Sequence, residues 1–210
     1  MDLKIVKIDR VSGHRYYLYL SFAQTVKMNS RRYRITVKMK RVAVFGNTGG
    51  GKSTLSKRLA QTTGLPLTVL DLVQYKPGGE KVSDEEYKTV HEKILQQDCW
   101  IVDGFGSLDT VWKRLEVADT LVYIDLPVLQ HYFWVTKRLI KGLWVAPEGY
   151  PENSPLVKST LNAYYIVSLC HQKLTPRYRE YVEKAKSTKQ VFHLQSTRDI
   201  KEFWHRLTAC

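Results

Sequence analysis

Apolar positions along the chain fall into two rhythms. Residues 3–38 alternate in a strand-like way. Leu3, Ile5 and Ile8 precede a break at Val11–His14, then Tyr16–Leu20 and Tyr33–Val37 follow. That pattern predicts two or three short β-strands. From Met39 onward the pattern sharpens. Arg41-Val42-Ala43-Val44-Phe45 is a short apolar strand running into a Gly-rich stretch, Gly46–Thr54, and then into a helix pinned by Leu55 and Leu59 and stopped at Gly64. Further strands are expected at Leu67–Leu70, Cys99–Val102, Leu121–Ile124 and Val191–Leu194. Ser83-Asp84-Glu85-Glu86 reads as a capping box before a helix with Tyr87, Val90 and Ile94 on one face. Other helices are expected near 108–117, 129–141, 156–172 and 177–187, with Thr197 capping a last one. Strands alternating with helices predict an α/β fold: a parallel five-stranded sheet flanked by helices, carrying a short N-terminal β extension. The expected division is a basic extension over 1–38 and a main domain over 39–210. The Pro- and Gly-rich stretch at about 142–155 forms a lid-like segment between two helices.

Composition narrows this picture. Hydrophobic residues make up 43% of the 210, enough to bury a core. No apolar run approaches the length of a membrane span, and the N-terminus lacks a signal-peptide block. Three dispersed cysteines, Cys99, Cys170 and Cys210, form neither a disulfide framework nor a clustered metal motif, so a cytoplasmic location is expected. The net charge is +13, but residues 1–40 hold ten Lys/Arg against two Asp and so contribute +8 of it. The main body is only mildly basic, as suits an enzyme of anionic substrates.

Gly46-x-x-x-x-Gly51-Lys52-Ser53 is a complete G-x-x-x-x-G-K-[ST], with a strand before it and a helix after it. Glycines let successive backbone N–H groups curl toward phosphate oxygens at the positive end of a helix. Gly46, Asn47, Thr48, Gly49, Gly50, Gly51, Lys52, Ser53 and Thr54 are therefore the expected nucleoside triphosphate cradle. Lys52 is expected on the β- and γ-phosphates and Ser53 on Mg²⁺. No Asn-Lys-x-Asp guanine signature is present. The modest size favours phosphoryl transfer to a small acceptor over motor chemistry.

In open parallel sheets, ligands gather at the carboxyl ends of the strands. Asp71, Asp103 and Asp125 each end a predicted strand. Trp100-Ile101-Val102-Asp103-Gly104 has the form of a Walker B strand, making Asp103 the second metal-side residue. Asp71 is the expected acceptor-binding group or general base, and Asp125 is expected to cap the next helix. Charge on a transferring phosphoryl group calls for a further cation. Arg138, bordering the lid-like segment, is the first choice and Arg177 the second, with Arg114 a further candidate. His131, His171 and His193 are expected to be satisfied structural histidines.

Residues 39–54, with Trp100-Ile101-Val102-Asp103-Gly104-Phe105, resemble the adenylate-kinase-related P-loop kinases. Asp71 followed by Tyr75-x-Pro77-Gly78, Ala118-Asp119-Thr120 and Leu126-Pro127 resemble more narrowly the bacterial proteins described as DNA topology modulation or flagellar-regulator kinases. The likeness covers about 39–207. It implies a nucleoside-monophosphate-kinase-like core using ATP and Mg²⁺, with Lys52 and Ser53 on the phosphates and Asp103 near the metal. The sequence also departs from that pattern. Phe105 is followed by Gly106-Ser107 where adenylate kinases carry Pro-Arg, and the acceptor-side helix offers only Lys76, so the acceptor stays open. The expected function is Mg-dependent transfer of the γ-phosphate of ATP to a nucleotide or other small acceptor. Two alternatives stand beside it: a nucleic-acid-associated NTPase using the basic 1–40 segment, with Arg31-Arg32-Tyr33-Arg34 and the Tyr16, Tyr17 and Tyr19 cluster in its favour, and a nucleotide-binding regulator without transfer activity.

Overall fold

The computed structural model describes residues 4–11, 14–20, 39–76, 79–142 and 156–208. Among the described residues, seven strands form one sheet: β1 (Lys4–Val11), β2 (His14–Leu20), β3 (Arg41–Gly46), β4 (Leu67–Val69), β5 (Trp100–Asp103), β6 (Thr120–Ile124) and β7 (Gln190–Leu194). Their spatial order is β1-β2-β4-β5-β3-β6-β7. The five strands from β4 to β7 are parallel, as the sequence pattern predicts, and β3 lies at their centre. The β1–β2 hairpin joins the β4 edge antiparallel, with Tyr19 opposite Leu67. The third expected N-terminal strand, at Tyr33–Val37, lies outside the described residues.

Helices cover both faces: α1 (Lys52–Thr63), α2 (Leu70–Gln74), α3 (Asp84–Leu95), α4 (Leu108–Val117), α5 (Val128–Gly142), α6 (Leu156–Lys173), α7 (Thr175–Ala185) and α8 (Thr197–Thr208). Two-sided burial explains why the strands read as continuous apolar runs. Ala43 and Phe45 point into a core with Tyr87 of α3, Leu115 of α4 and Val182 of α7. Val42 and Val44 point the other way, against Leu55 and Leu59 of α1 and Phe203 of α8. Burying a side chain of this size contributes roughly 1.5–3 kcal/mol, so truncating Phe45 would open the first core.

Several boundaries shift for physical reasons. Ser83 caps α3 as expected, its hydroxyl accepting from the Glu86 N–H at 3.1 Å. The last helix is capped not by Thr197 but by Ser196, whose hydroxyl accepts from the Asp199 N–H while the Asp199 carboxylate accepts from the Ser196 N–H. Strand β4 ends at Val69, which places Asp71 in the first turn of α2 rather than at the strand end. Residues 143–155, nearly all of the expected lid-like segment, lie outside the described residues. Among the described residues, no helix is long and apolar enough to cross a membrane.

Candidate functional site

Strand register assembles the site. Asp103 pairs with Val44 on one side and Val69 on the other, so β4 and β5 end level while β3 runs two residues further to Gly46. The Gly-rich loop leaves β3 just beyond this row, and Asp71 lies just beyond it on the β4 side. A cleft of about 720 Å³ opens there. It is lined by Thr48 through Leu55, Asp71, Asp103, Gly104 and Arg138, which brings most of the expected residues together.

The loop is held by close packing. At Gly46 (φ +134°) an added Cβ would stand 2.2 Å from the Ile124 carbonyl oxygen. At Gly49 (φ +73°) it would stand 2.6 Å from Val135 Cγ2 and 3.0 Å from the His131 carbonyl oxygen. No L-residue fits either position without strain. His131 Nδ1 lies 2.9 Å from the Thr48 carbonyl oxygen, and burial lowers its pKa, keeping the imidazole neutral as a structural histidine. Asn47 Nδ2 donates to the Val167 carbonyl of α6 at 2.9 Å, so α5 and α6 both grip the loop. Helix α1 begins at Lys52 with Gly51 as its cap, no side-chain capping bond and no acidic residue in its first turn. Its leading N–H groups are thus left for an anion.

Lys52 Nζ donates to the Asn47 carbonyl at 2.9 Å, folding back over the loop. Asp103 is 1% exposed, and its Oδ1 has no hydrogen-bond partner. Burial pushes its carboxyl pKa up to about 6, opposed by Lys52 and by a hydrogen bond with Ser53. A buried, unpartnered carboxylate oxygen beside a Ser hydroxyl fits Mg²⁺. Among the described residues no group of three His, Cys, Asp or Glu could hold a metal. An ion here would draw its remaining ligands from phosphate oxygens and water, as Mg²⁺ commonly does.

Beside the Asp103–Gly104 turn, Asp71 is open to water yet surrounded by protein. Desolvation raises its pKa, and Lys52 and Arg138 pull it back. Water in the cleft moderates that rise, whereas Asp103 has no such relief.

The cations divide differently from the sequence expectation. Arg138 lines the cleft, together with Lys137 and Lys141 from the same helix and Arg58 from α1. Arg177 does not line it. Helix α7 turns toward α4, and the Arg177 guanidinium lies 5.0 Å from the Trp112 ring centroid. Arg114 is fully buried beneath the loop after Asp103. Its Nη2 donates to the carbonyls of Gly104 at 2.8 Å and Phe105 at 3.2 Å, and its Nη1 stands 3.4 Å from His91 Nε2. Burial lowers the His91 pKa to about 4, so that ring is neutral and free to accept. Asp125 is not a helix cap. Its carboxylate takes a bidentate pair from Arg179 (2.8 and 3.0 Å) and a contact from His193 Nε2 at 2.8 Å. These bonds tie α7 to the sheet and hold the carboxyl below its ordinary pKa against the rise that burial causes.

No local pattern marks the cleft's apolar wall of Trp134, Ile200 and Trp204, where Arg58 stacks 4.3 Å from the Trp204 ring. Arg58 was foreseeable as a later residue of the helix that begins at Lys52. The two tryptophans reach the cleft only through tertiary packing.

Comparison with known proteins bears on the fold. A family model described as isopentenyl transferase matches residues 39–117, less than half of the chain. A shikimate kinase from Acinetobacter baumannii, solved in complex with shikimate, superposes with a TM-score of 0.51 at 16% identity. The match covers 82% of this chain and 94% of that one. A sugar kinase from Janibacter sp. HTCC2649 aligns at 16% identity and a TM-score of 0.43, over 81% of this chain and 95% of that one. No match is found among curated proteins. The chain has an α/β P-loop kinase-like fold.

Proposed function

We propose that this chain is an Mg-dependent phosphotransferase that moves the γ-phosphate of ATP to a nucleotide or other small hydroxyl-bearing acceptor. The observation that carries the reading is the convergence of Lys52, Ser53 and Asp103 at an uncapped helix N-terminus, with Asp71 and Arg138 lining the same cleft. The loop N–H groups and Lys52 bind and orient the phosphates. Ser53 and Asp103 would hold Mg²⁺, which would supply charge neutralisation on the phosphates. Asp71 accepts the acceptor's hydroxyl proton as the new P–O bond forms and the bond to the β-phosphate oxygen breaks. A carboxyl lifted above its ordinary pKa is better matched to that task. Arg138 offsets charge spreading over the transferring oxygens. The wall of Trp134, Ile200 and Trp204 offers an apolar surface for the nucleobase.

A second reading is favoured by the family match over residues 39–117: isopentenyl transfer, with the same loop holding the phosphates of the isopentenyl donor. ADP release from ATP should be measured against panels of nucleotides, nucleosides and small alcohols, with and without DNA. Acceptor-stimulated ADP release that Lys52→Ala abolishes is the expected result. DNA-stimulated release without a small acceptor points to the nucleic-acid alternative. Tight ATP binding with no turnover points to a regulator. No ATP turnover alongside transfer from an isopentenyl diphosphate establishes the second reading.

A further inference from the structure

The α5–α6 hairpin has two apolar sides, and only one of them packs against other described residues. Val135, Ala163 and Val167 pack together with Val128, Tyr132 and Tyr164 between the helices. Val135 also presses on the phosphate loop. The other side faces water. Leu129, Phe133 and Ile140 of α5 are 76%, 63% and 54% exposed, and Leu161, Tyr165 and Leu169 of α6 are 64%, 64% and 38% exposed. Six of the eight large hydrophobics that are exposed among the described residues therefore sit on this one hairpin.

Helical spacing gathers them into one face. Positions 129, 133 and 140 share a narrow arc of α5, and 161, 165 and 169 share an arc of α6. Thr136 lies on the α5 arc's border and Tyr164 on the α6 arc's border. These two residues meet in a 2.6 Å hydrogen bond between their hydroxyls. The two arcs thus adjoin on the same side of the hairpin. The sequences of α5 and α6 contain no Asp or Glu. Lys137, Arg138 and Lys141 line the cleft.

At roughly 200 Å² per fully exposed side chain of this size, the six expose about 700 Å². That exceeds the roughly 300–600 Å² of the largest patch on an ordinary monomer. It approaches the roughly 800 Å² per partner of a stable protein interface. A second identical face would match these six side chains apolar to apolar. We propose that this face joins two copies of the chain about a two-fold axis, the paired hairpins forming a four-helix bundle. The opposite side of α5 carries His131 and Val135 against the phosphate loop and Arg138 into the cleft, so the dimer would brace the arm that holds the site.

The test is the solution mass of the full chain by sedimentation equilibrium across a dilution series up to roughly 100 μM. Expected is a species of twice the 24.4 kDa chain mass. Phe133→Glu, and separately Tyr165→Glu on the other helix, should weaken dimerisation by roughly 30-fold or more. Both substitutions fall on exposed positions, so far-UV dichroism should stay near wild type and the melting temperature should fall only by what the lost dimer contributes, a difference that vanishes on dilution. If one variant fails to fold, the other still decides the matter. A wild-type chain that stays monomeric throughout the series overturns the proposal, whether or not it binds anionic phospholipid vesicles. Dimers that persist undiminished in a folded variant also overturn it.

Discussion

Asp103→Asn exchanges the buried carboxyl at the end of β5 for a neutral group of the same shape. In the folded chain this carboxyl keeps its proton up to about pH 6, whereas in the unfolded chain it titrates near the ordinary 3.8. Between those values the folded state binds more protons, so the contribution of Asp103 to stability falls as pH rises. The displacement from 3.8 to about 6 corresponds to about 3 kcal/mol of destabilisation above pH 6, and to nothing below pH 4. Asn carries no charge and escapes this cost. It does inherit the unpartnered position, so about 3 kcal/mol is a ceiling on the gain. Near neutrality that ceiling converts to roughly 6–12 °C in melting temperature for a chain of this length. The assay is urea unfolding of both proteins from about pH 4 to pH 8, read as the difference between them. Subtraction removes the carboxylates common to both, such as Asp125, whose lowered pKa stabilises the fold in the opposite direction. The expected difference is near zero at the acid end and grows in favour of Asn across pH 4–6, while Mg-dependent turnover falls by orders of magnitude. A flat difference, or a variant less stable than wild type at pH 7, would refute the reasoning.

Gly49→Ala should cost roughly 1–2 kcal/mol for the left-handed backbone and a further 1–3 kcal/mol for displacing Val135, lowering both melting temperature and ATP affinity in paired thermal and titration measurements. Arg114→Met should lower stability by roughly 1–3 kcal/mol, because it leaves the Gly104 and Phe105 carbonyls without their buried donor. It should speed hydrogen exchange over residues 104–107 and reduce turnover, and Arg114→Lys should not restore it, since one ammonium cannot reach both carbonyls in the forked geometry. Arg138→Ala should lower turnover more than ATP affinity in steady-state kinetics; equal losses would put Arg138 in ground-state binding. A chain beginning at Met39 loses nine Lys/Arg and two Asp and uncovers the β4 edge. If it folds, ATP turnover should persist, and a loss of DNA affinity with a flatter salt slope would mark the extension as a nucleic-acid arm.

The central strands were legible because their chemistry is punctuated. Val42–Phe45 ends in Gly46, Ile101–Val102 in Asp103-Gly104, and Leu121–Ile124 in Asp125. The phosphate cradle was legible for the same reason, being a local motif whose strand and helix lie on either side of it. Contacts set by packing between distant segments were not. Nothing near Asp125 announces Arg179 or His193, which arrive from 54 and 68 positions away. Arg177 lies near a break in the sequence, but the turn of α7 toward Trp112 takes it out of the cleft. Arg114 reads as one more basic residue on a helix, and its burial beneath Gly104 depends on how α4 docks.

The central claim is phosphoryl transfer within one cleft by Lys52, Asp103 and Asp71. The most direct measurement follows ATP labelled at the γ-phosphate, incubated with Mg²⁺ and the acceptor panel, for wild type, Lys52→Ala and Asp71→Asn. The account predicts label on an acceptor hydroxyl with the wild type, none with Lys52→Ala, and strongly reduced label with near-normal ATP binding for Asp71→Asn. Label transferred equally well by Lys52→Ala, or released only as inorganic phosphate whatever acceptor is present, would contradict it.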